Sequence, residues 1–345
     1  MVMEQSLKEF KESFIDNILA FLWNQWSALG IAGYAESNDV WYIDPEALLI
    51  FSLDLARHDA RLFDEIIDWI NINGNLINIQ RLKAMIKRKP SFDKRALFAI
   101  SEIISKRRKF LKWKGLVNTP VRYETTNSLF FFKDGKPMGK FGPGEETFEK
   151  YGLYRGKLKL RGYSRPVKIH FNTGFLFKLR ALFGVNARCE IILYLLTHES
   201  AHPSKIAEET FFSQKNIQDT LVEMLQSGLI FVQSIGKEKH YWLKKEKWFS
   251  FFEIDLVKPI QWINWHLLFN GLEQIWIKIN EDNFINHNKL LVSSLFRELM
   301  HNIKPGIEKA GFKELLTDDK LYTGESYLPV FISDINRLLN KLTKS

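Results

Sequence analysis

The sequence predicts a mainly α-helical protein with one small β-wing, and three observations support this class. Apolar residues recur at helical spacing in segments along most of the 345 residues. Hydrophobic residues make up 46% of the chain, with only 19 Gly and 10 Pro, which excludes a disordered or collagen-like chain. One stretch, residues 229–243, is instead typical of two short strands joined by a basic turn. The length predicts two or three domains with substantial cores.

Residues 1–115 are predicted to form an all-helical domain. Its long first helix has one apolar stripe, which includes Leu7, Phe14 and Trp26, and Gly30 can end it. Four more helices are expected: from Asp44-Pro45 through Ala56, over Arg61–Asn71, from Asn78 to before Pro90, and over Asp93–Lys112. The second and third of these four, joined by Asn73-Gly74-Asn75, form an alternative helix-turn-helix.

The end of this domain is strongly basic. From Lys83 to Lys114 there are twelve basic residues and two acidic ones, so local ion pairs are not expected to balance the charge. The block predicts a surface for a polyanion, and the alternative is a solvated helix face. The net charge of +9 also favours a polyanionic partner such as nucleic acid. The candidate contact residues are four consecutive cations, Lys106, Arg107, Arg108 and Lys109.

Residues 116–180 are predicted to be a Gly-rich basic linker with short strands. Leu129–Phe132, turning at Asp134-Gly135, is a candidate hairpin. Arg155–Pro166 is basic and spaced by glycines, which suits an arm laid along phosphates or in a minor groove. A plain connector is the equal alternative.

Residues 181–250 predict three short helices and a hairpin. An apolar helix over Asn186–His198 is followed by a helix that starts at Pro203, whose missing N–H suits a first helical position. Ser213 is an N-cap residue for the third helix, which extends to Ser227 and is ended by Gly228. The strands are expected at 229–234 and 240–243, with a tip at 235–239.

This order of elements is typical of a winged helix-turn-helix, which places its third helix in the major groove of DNA. The apolar stripe of that helix, Ile217, Leu221 and Met224, would face the first two helices, which leaves its polar face exposed. Side-chain amides pair with adenine edges, and lysine reaches guanine or phosphate. The segments NIQDTLVEMLQSGLI and GKEKHYWL resemble the recognition helix and wing of MarR-like and ArsR-like bacterial regulators.

The resemblance implies a sequence-specific transcriptional regulator that binds double-stranded DNA. It implies base contacts from the third helix and phosphate contacts from lysines around it. Asp219 departs from a uniformly cationic face, and either accepts from a cytosine amino group or caps a neighbour. The alternative is an antitoxin-like or other protein-interaction module that uses the winged helix as a scaffold. The residues implied are Gln214, Lys215, Asn216 and Gln218 at the bases, with Lys205, Lys237 and Lys239 at phosphates. Ser213, at the start of the same helix, is included among the DNA-binding residues.

Residues 251–345 are predicted to form a helical bundle. Aromatic residues such as Trp265, Phe269 and Trp276 recur at helical spacing in a segment begun by Pro259. Further helices are expected over Leu290–His301 and Leu328–Leu342. In winged-helix regulators such a bundle commonly dimerises, so a homo-oligomer is expected; an aromatic-lined effector pocket is the alternative.

Motifs for catalysis or metal binding give no positive signal. His198-Glu199-Ser200-Ala201-His202 matches the HExxH zinc pattern, but it spans the end of one helix and the Pro203 start of the next. The lone Cys189 cannot form an intramolecular disulfide, which favours a cytoplasmic location. Apolar runs are too short to span a bilayer, and the N-terminus is amphipathic rather than a signal peptide. We therefore expect no enzyme activity, no cofactor, no metal and no membrane contact.

Overall fold

The computed structural model describes residues 2–33, 41–117, 125–169, 172–254, 259–282 and 284–344. Within this part the chain is mainly helical, with one two-stranded antiparallel sheet, so the predicted class is confirmed at this level. No helix in these ranges is both long enough and apolar enough to cross a membrane. The helices are α1 (Val2–Ala28), α2 (Pro45–Leu55), α3 (Ala60–Asn73), α4 (Ile79–Lys87), α5 (Arg95–Ser105), α6 (Glu146–Lys150), α7 (Phe175–Phe183), α8 (Ala187–Thr197), α9 (Pro203–Thr210), α10 (Gln214–Leu225), α11 (Lys245–Phe252), α12 (Trp265–Ile279), α13 (Lys289–Ile307) and α14 (Tyr327–Lys344). The strands are β1 (Asn127–Ser128), β2 (Leu153–Tyr154), β3 (Ile230–Ile235) and β4 (Glu238–Leu243).

The starts of α2 and α4 follow from the capping residues that the sequence predicts. The Asp44 carboxylate accepts a hydrogen bond from the Ala47 amide at 3.1 Å, one turn into α2. The Asn78 side chain accepts from the Arg81 amide at 3.0 Å at the start of α4. Each bond satisfies one amide that the first helical turn leaves unpaired.

The predicted helix over Asp93–Lys112 is wrong at both ends. It begins at Arg95 and ends at Ser105, and a 3-10 segment over Arg108–Leu116 follows after a turn at Arg107. The turn lets Phe110 and Trp113 become fully buried, and the indole N–H of Trp113 donates to the Gly74 carbonyl at 3.0 Å. A straight helix would carry both rings away from that contact.

Residues 125–169 lie against the N-terminal helices. The predicted turn at Asp134-Gly135 is present, since the Phe132 amide donates to the Lys136 carbonyl at 2.8 Å. The predicted hairpin is present as a short one: Phe131 and Pro137 form an antiparallel bridge, and the Met138 amide donates to the Phe130 carbonyl at 2.9 Å. Strand β1, which precedes it, pairs in parallel with β2. The basic stretch after β2 lies along α3, where Arg155 forms a bidentate pair with Asp64 at 2.6 and 3.0 Å. Arg155 is therefore engaged within the chain, whereas the side chains of Lys159, Arg161 and Arg165 are exposed.

The C-terminal helices share a core with the N-terminal ones. Phe269 of α12 stacks on Phe51 of α2 with ring centroids 4.4 Å apart. Phe331 of α14 meets Phe10 of α1 edge to face at 6.0 Å. The predicted start of α12 at Pro259 is wrong: the helix begins at Trp265, after Asn264 as its N-cap. Helices α12 and α14 therefore bury apolar side chains against helices α2 and α1 of the same chain.

Candidate nucleic-acid interface

Helices α8, α9 and α10 start where short-range signals place them. Asn186 caps α8, its side chain accepting from the Arg188 amide at 2.9 Å. Helix α9 occupies its predicted range, with Pro203 at its first position. The Ser213 hydroxyl accepts from the Asn216 amide at 3.2 Å, as an N-cap of α10. Ser213 therefore acts as the predicted N-cap, and its hydroxyl is engaged within the chain.

The hairpin that follows α10 is tighter than predicted. Strands β3 and β4 pair from Ile230–Leu243 to Ile235–Glu238, so the turn has two residues, Gly236 and Lys237, and the predicted five-residue tip is wrong. Gly236 has φ +62°, a left-handed conformation that glycine adopts without steric cost. Tyr241 exchanges two 2.9 Å backbone hydrogen bonds with Ala201, which fixes the hairpin to the α8–α9 connection. We call residues 187–243 the α8–β4 unit.

Helix α10 buries its apolar stripe and exposes its polar face, as expected. Ile217, Leu221 and Met224 are buried, whereas Asp219 and the predicted contact residues are exposed. Within the described part of the chain, five polar side chains on this face have no hydrogen bond or ion pair. They are Gln214, Lys215, Asn216, Gln218 and Asp219. Their amide, ammonium and carboxylate groups are therefore available to an external partner.

The lysines around α10 differ in how their charge is balanced. Lys205 lies 2.9 Å from Glu209 and 3.6 Å from Glu208, and the hydrogen bond to Glu209 raises its pKa. Its charge is therefore offset by its own helix. Lys237 and Lys239 are exposed at the hairpin tip. Residues 203–243 contain four lysines and five carboxylates, so this part of the unit has a net charge of −1.

Some cations of the basic block from Lys83 to Lys114 form ion pairs within the chain, and others do not. Lys89 is buried between Asp54 and Glu273, at 3.1 and 2.5 Å, and Arg95 pairs with Asp93 at 2.8 Å. The expectation that local ion pairs leave this block unbalanced is wrong for these two cations. Lys106, Arg107, Arg108 and Lys109 are all exposed, in the turn between α5 and the 3-10 segment. They form a run of four exposed cations that is open to a polyanion, and Lys83, Lys87, Arg88 and Lys114 of the block are exposed as well.

Lys112 shows that one further cation of the block has an internal role. Its ammonium donates to the carbonyls of Asn75 and Ile77, at 2.5 and 2.7 Å. Burial lowers the pKa of Lys112 to about 8. The ammonium of this lysine therefore joins the 3-10 segment to the connection between α3 and α4, although the side chain as a whole is exposed.

A buried ionic network that the sequence did not predict joins the N-terminal helices to the α8–β4 unit. Arg180 of α7 donates to Glu46 of α2 at 2.7 and 2.8 Å and to Glu190 of α8 at 2.6 Å. Arg81 of α4 pairs with Asp44 and Glu46, and its Nε donates to the Thr210 carbonyl at 2.8 Å.

All the charged side chains in this network are at least 95% buried. Although burial alone would raise the pKa of Asp44, the Arg81 guanidinium holds that pKa below its usual range. The Thr210 carbonyl lies at the end of α9, just before the turn into α10. The network therefore fixes the position of α9 and α8 on the N-terminal helices.

The residues that match the zinc pattern lie outside helices and have other partners. His198 follows α8, stacks on Tyr194 with ring centroids 3.9 Å apart, and shares a 2.9 Å hydrogen bond with the Tyr194 carbonyl. His202 caps α9, accepting from the Ser204 amide at 3.3 Å. The described residues contain no group of three or more His, Cys, Asp or Glu that could hold a metal ion. Burial raises the pKa of Cys189 to about 12, so its thiol is protonated at neutral pH.

The α8–β4 unit thus combines three helices and a paired hairpin, and the first two turns of one of these helices, α10, expose unengaged polar groups. Its charge is slightly negative, and an exposed basic turn lies elsewhere on the chain. No protein-family model, curated protein or solved structure matches this chain.

Proposed function

We propose that this protein binds double-stranded DNA as a sequence-specific transcriptional regulator, with residues 181–250 acting as a winged helix-turn-helix. The observation that carries the proposal is the unengaged polar face on the first two turns of α10. Gln214, Lys215 and Gln218 lie at i, i+1 and i+4, a spacing that groups them at one end of the helix. Amide and ammonium groups at the start of a helix are the groups that contact base edges in the major groove.

Phosphate contacts must then come largely from outside α10, because residues 203–243 have a net charge of −1. Lys237 and Lys239 at the hairpin tip supply two cations beside the groove. Residues 106–109 supply four more, in an exposed turn. Phosphate contacts position a protein on the duplex and raise its affinity, whereas base contacts specify the sequence. A single helix reads few base pairs, so we propose that two copies act on a paired site.

A selection from a random duplex library tests this proposal. The full chain is incubated with the library at low salt, and bound duplexes are enriched, sequenced and measured for affinity against salt concentration. We expect an enriched motif and an affinity that falls steeply with salt. The double variant Lys215→Ala with Gln218→Ala should no longer enrich the motif. Gln226→Ala, which changes an exposed residue at the C-terminal end of α10, should still enrich it. Absence of any salt-dependent duplex binding by the folded protein would contradict the proposal.

A second candidate is a protein-interaction module, and one observation favours it. The same unit exposes apolar side chains: Val222 at 49%, Leu229 at 47%, Val232 at 43% and Ile235 at 51%. Apolar side chains together with a net negative charge are more typical of a protein interface than of a phosphate-binding surface. The library selection separates the two candidates, because a protein-interaction module enriches no duplex motif.

A further inference from the structure

The extended stretch that follows β2 takes no part in the proposed contacts of α10, and its outward face is cationic. We call residues 157–168 the basic arm. Leu158 and Leu160 pack against the core, whereas the side chains at the alternate positions are exposed. These exposed side chains are Lys157, Lys159, Arg161, Tyr163 and Arg165. Alternate residues of an extended chain lie about 6.6 Å apart on one face, so the arm presents its cations as a regularly spaced row.

Backbone hydrogen bonds hold the basic arm in place from below. The Leu158 amide donates to the Glu145 carboxylate at 3.0 Å. The amides of Gly162 and Ser164 donate to the two carboxylate oxygens of Asp68, at 3.0 Å each. The backbone of the arm is therefore already ordered before a partner binds, which lowers the entropy cost of binding.

The carboxylates near the basic arm lie mostly beneath it and leave its outward face unbalanced. They are Asp64, Glu65 and Asp68 of α3, with Glu145 and Glu146 at the start of α6. Of these five only Glu146 is exposed, and it lies 3.9 Å from Lys157. Within the described part of the chain, the other four cations of the arm have no hydrogen bond or ion pair. They are Lys159, Arg161, Arg165 and Lys168. The outward face therefore suits a partner that carries several negative charges in a row.

Exposed aromatic rings accompany these cations. Tyr163 lies between Arg161 and Arg165 in the chain and is 63% exposed. Phe141 is 84% exposed, and the bridge between Gly144 and Gly156 brings its loop to the start of the arm. Surfaces that bind single-stranded nucleic acid combine cations for the phosphates with aromatic rings on which the bases stack. The bases of a duplex are stacked on one another, so exposed rings beside the phosphates favour a single strand.

The basic arm leads to the exposed basic turn at residues 106–109. Asn73, the last residue of α3, donates through Nδ2 to the Arg165 carbonyl at 2.9 Å. The carbonyl of the preceding residue, Ile72, accepts from the Lys109 ammonium at 3.5 Å. The arm and the turn therefore contact the same end of α3, and a strand longer than the arm can continue onto the turn.

We propose that the basic arm binds single-stranded nucleic acid, in addition to the duplex proposed for α10. Phosphates of the strand lie along Lys159, Arg161 and Arg165, and one base stacks on Tyr163. Because the arm and α10 are separate elements, single-strand binding does not depend on the reading of duplex DNA by α10.

Fluorescence anisotropy with labelled oligo(dT) and oligo(U), each of about 12 nucleotides, tests this proposal on the full chain. The two probes distinguish DNA from RNA as the source of the strand. We expect binding at low salt to at least one probe, with a logarithmic salt slope of about 0.7 for each phosphate that is neutralised. Neither probe contains a duplex, so a failure of α10 to read duplex DNA would not change this result.

Two variants separate phosphate contacts from base stacking. The triple variant Lys159→Gln, Arg161→Gln and Arg165→Gln should lower the salt slope by up to about 2, because three phosphate contacts are lost. Tyr163→Ala should weaken single-strand binding by about 5- to 150-fold at an unchanged slope, because one base loses its stacking partner. Tyr163→Phe should bind as the wild type does. Tyr163→Ala should also leave the affinity for a homopolymer duplex of the same length unchanged.

A second triple variant controls for the loss of net charge. Lys313→Gln, Lys320→Gln and Lys344→Gln remove three positive charges from exposed positions in the C-terminal part of the chain, and should leave the salt slope unchanged. The proposal is overturned if the folded wild type binds neither probe, if the two triple variants lower the slope equally, or if Tyr163→Ala binds the single strand as tightly as the wild type.

Discussion

Replacing Arg180 with Met should strongly destabilise the folded protein, because it removes the shared partner of two buried carboxylates. Glu46 would keep Arg81 and the Asn78 amide, which donates to its Oε1 at 2.6 Å, whereas Glu190 accepts through Oε1 from Arg180 and from no other described residue. Removing one member of a buried ion pair costs about 3–5 kcal/mol, since the remaining charge stays out of water without compensation. The side chain of Arg180 is 0% exposed, so solvent cannot offset this cost.

The thermal unfolding midpoint measures this destabilisation. A chain of 345 residues has an unfolding entropy of about 0.7 kcal/mol/K, so 3–5 kcal/mol corresponds to roughly 4–7 °C if the whole chain unfolds together. Arg188→Met is the matched control, because Arg188 is 43% exposed in its pair with Glu223 and such a surface pair contributes about 0–1 kcal/mol.

A second substitution distinguishes loss of charge balance from loss of packing. Arg180→Met combined with Glu190→Met removes the carboxylate that Arg180 leaves unpaired, so the double variant should recover at least about 1 kcal/mol. A midpoint for Arg180→Met no lower than that of Arg188→Met would refute the view that this network attaches the α8–β4 unit to the N-terminal helices.

Three further perturbations test separate parts of the molecule. Changing all four cations of residues 106–109 to Gln should weaken binding to every duplex alike and lower the salt slope by about 0.9 for each phosphate that is no longer neutralised; an unchanged slope would assign the turn to a solvated surface. Burial lowers the pKa of His266 to about 4, so the unfolded chain takes up a proton first as the pH falls. Roughly 3 kcal/mol of stability is therefore lost between pH 6.5 and pH 4, and thermal midpoints for His266→Phe should lack this part of the pH dependence. Gly236→Ala should cost about 1–2 kcal/mol because of its φ of +62°, whereas Gly156→Ala, with open space around it, should be neutral; equal midpoints would contradict the turn geometry.

Elements set by short-range signals could be predicted from the sequence. The starts of α9 and α10 depend on Pro203 and Ser213, which act within one turn of the chain. The end of α5 could not be predicted in this way. It depends on the contact between Trp113 and Gly74, which are 39 residues apart. Helical periodicity continues past Ser105, and only that distant contact ends the helix there.

The same distinction between short-range signals and long-range contacts applies to the candidate site. The exposed face of α10 follows from the spacing of its apolar residues, so it could be predicted. The pairing of Lys205 with Glu208 and Glu209 was missed although their i+3 and i+4 spacing is a signal within one helix. The contact between Arg180 and Glu46 spans 134 residues, and no pattern in the sequence indicates it. Long-range ion pairs depend on how the helices pack.

The most direct test of the proposal that α10 reads DNA sequence is a measurement of base discrimination. Once a preferred duplex has been selected, its affinity is compared with that of single-base-pair variants, for the wild type and for Gln214→Ala with Gln218→Ala. We predict that the double variant stays folded, because both side chains are exposed, and loses about 1–3 kcal/mol of discrimination per contact. Gln233→Ala, an exposed residue on β3, is the matched control and should discriminate as the wild type does. A folded double variant that retains the full sequence preference would contradict the claim that α10 reads DNA.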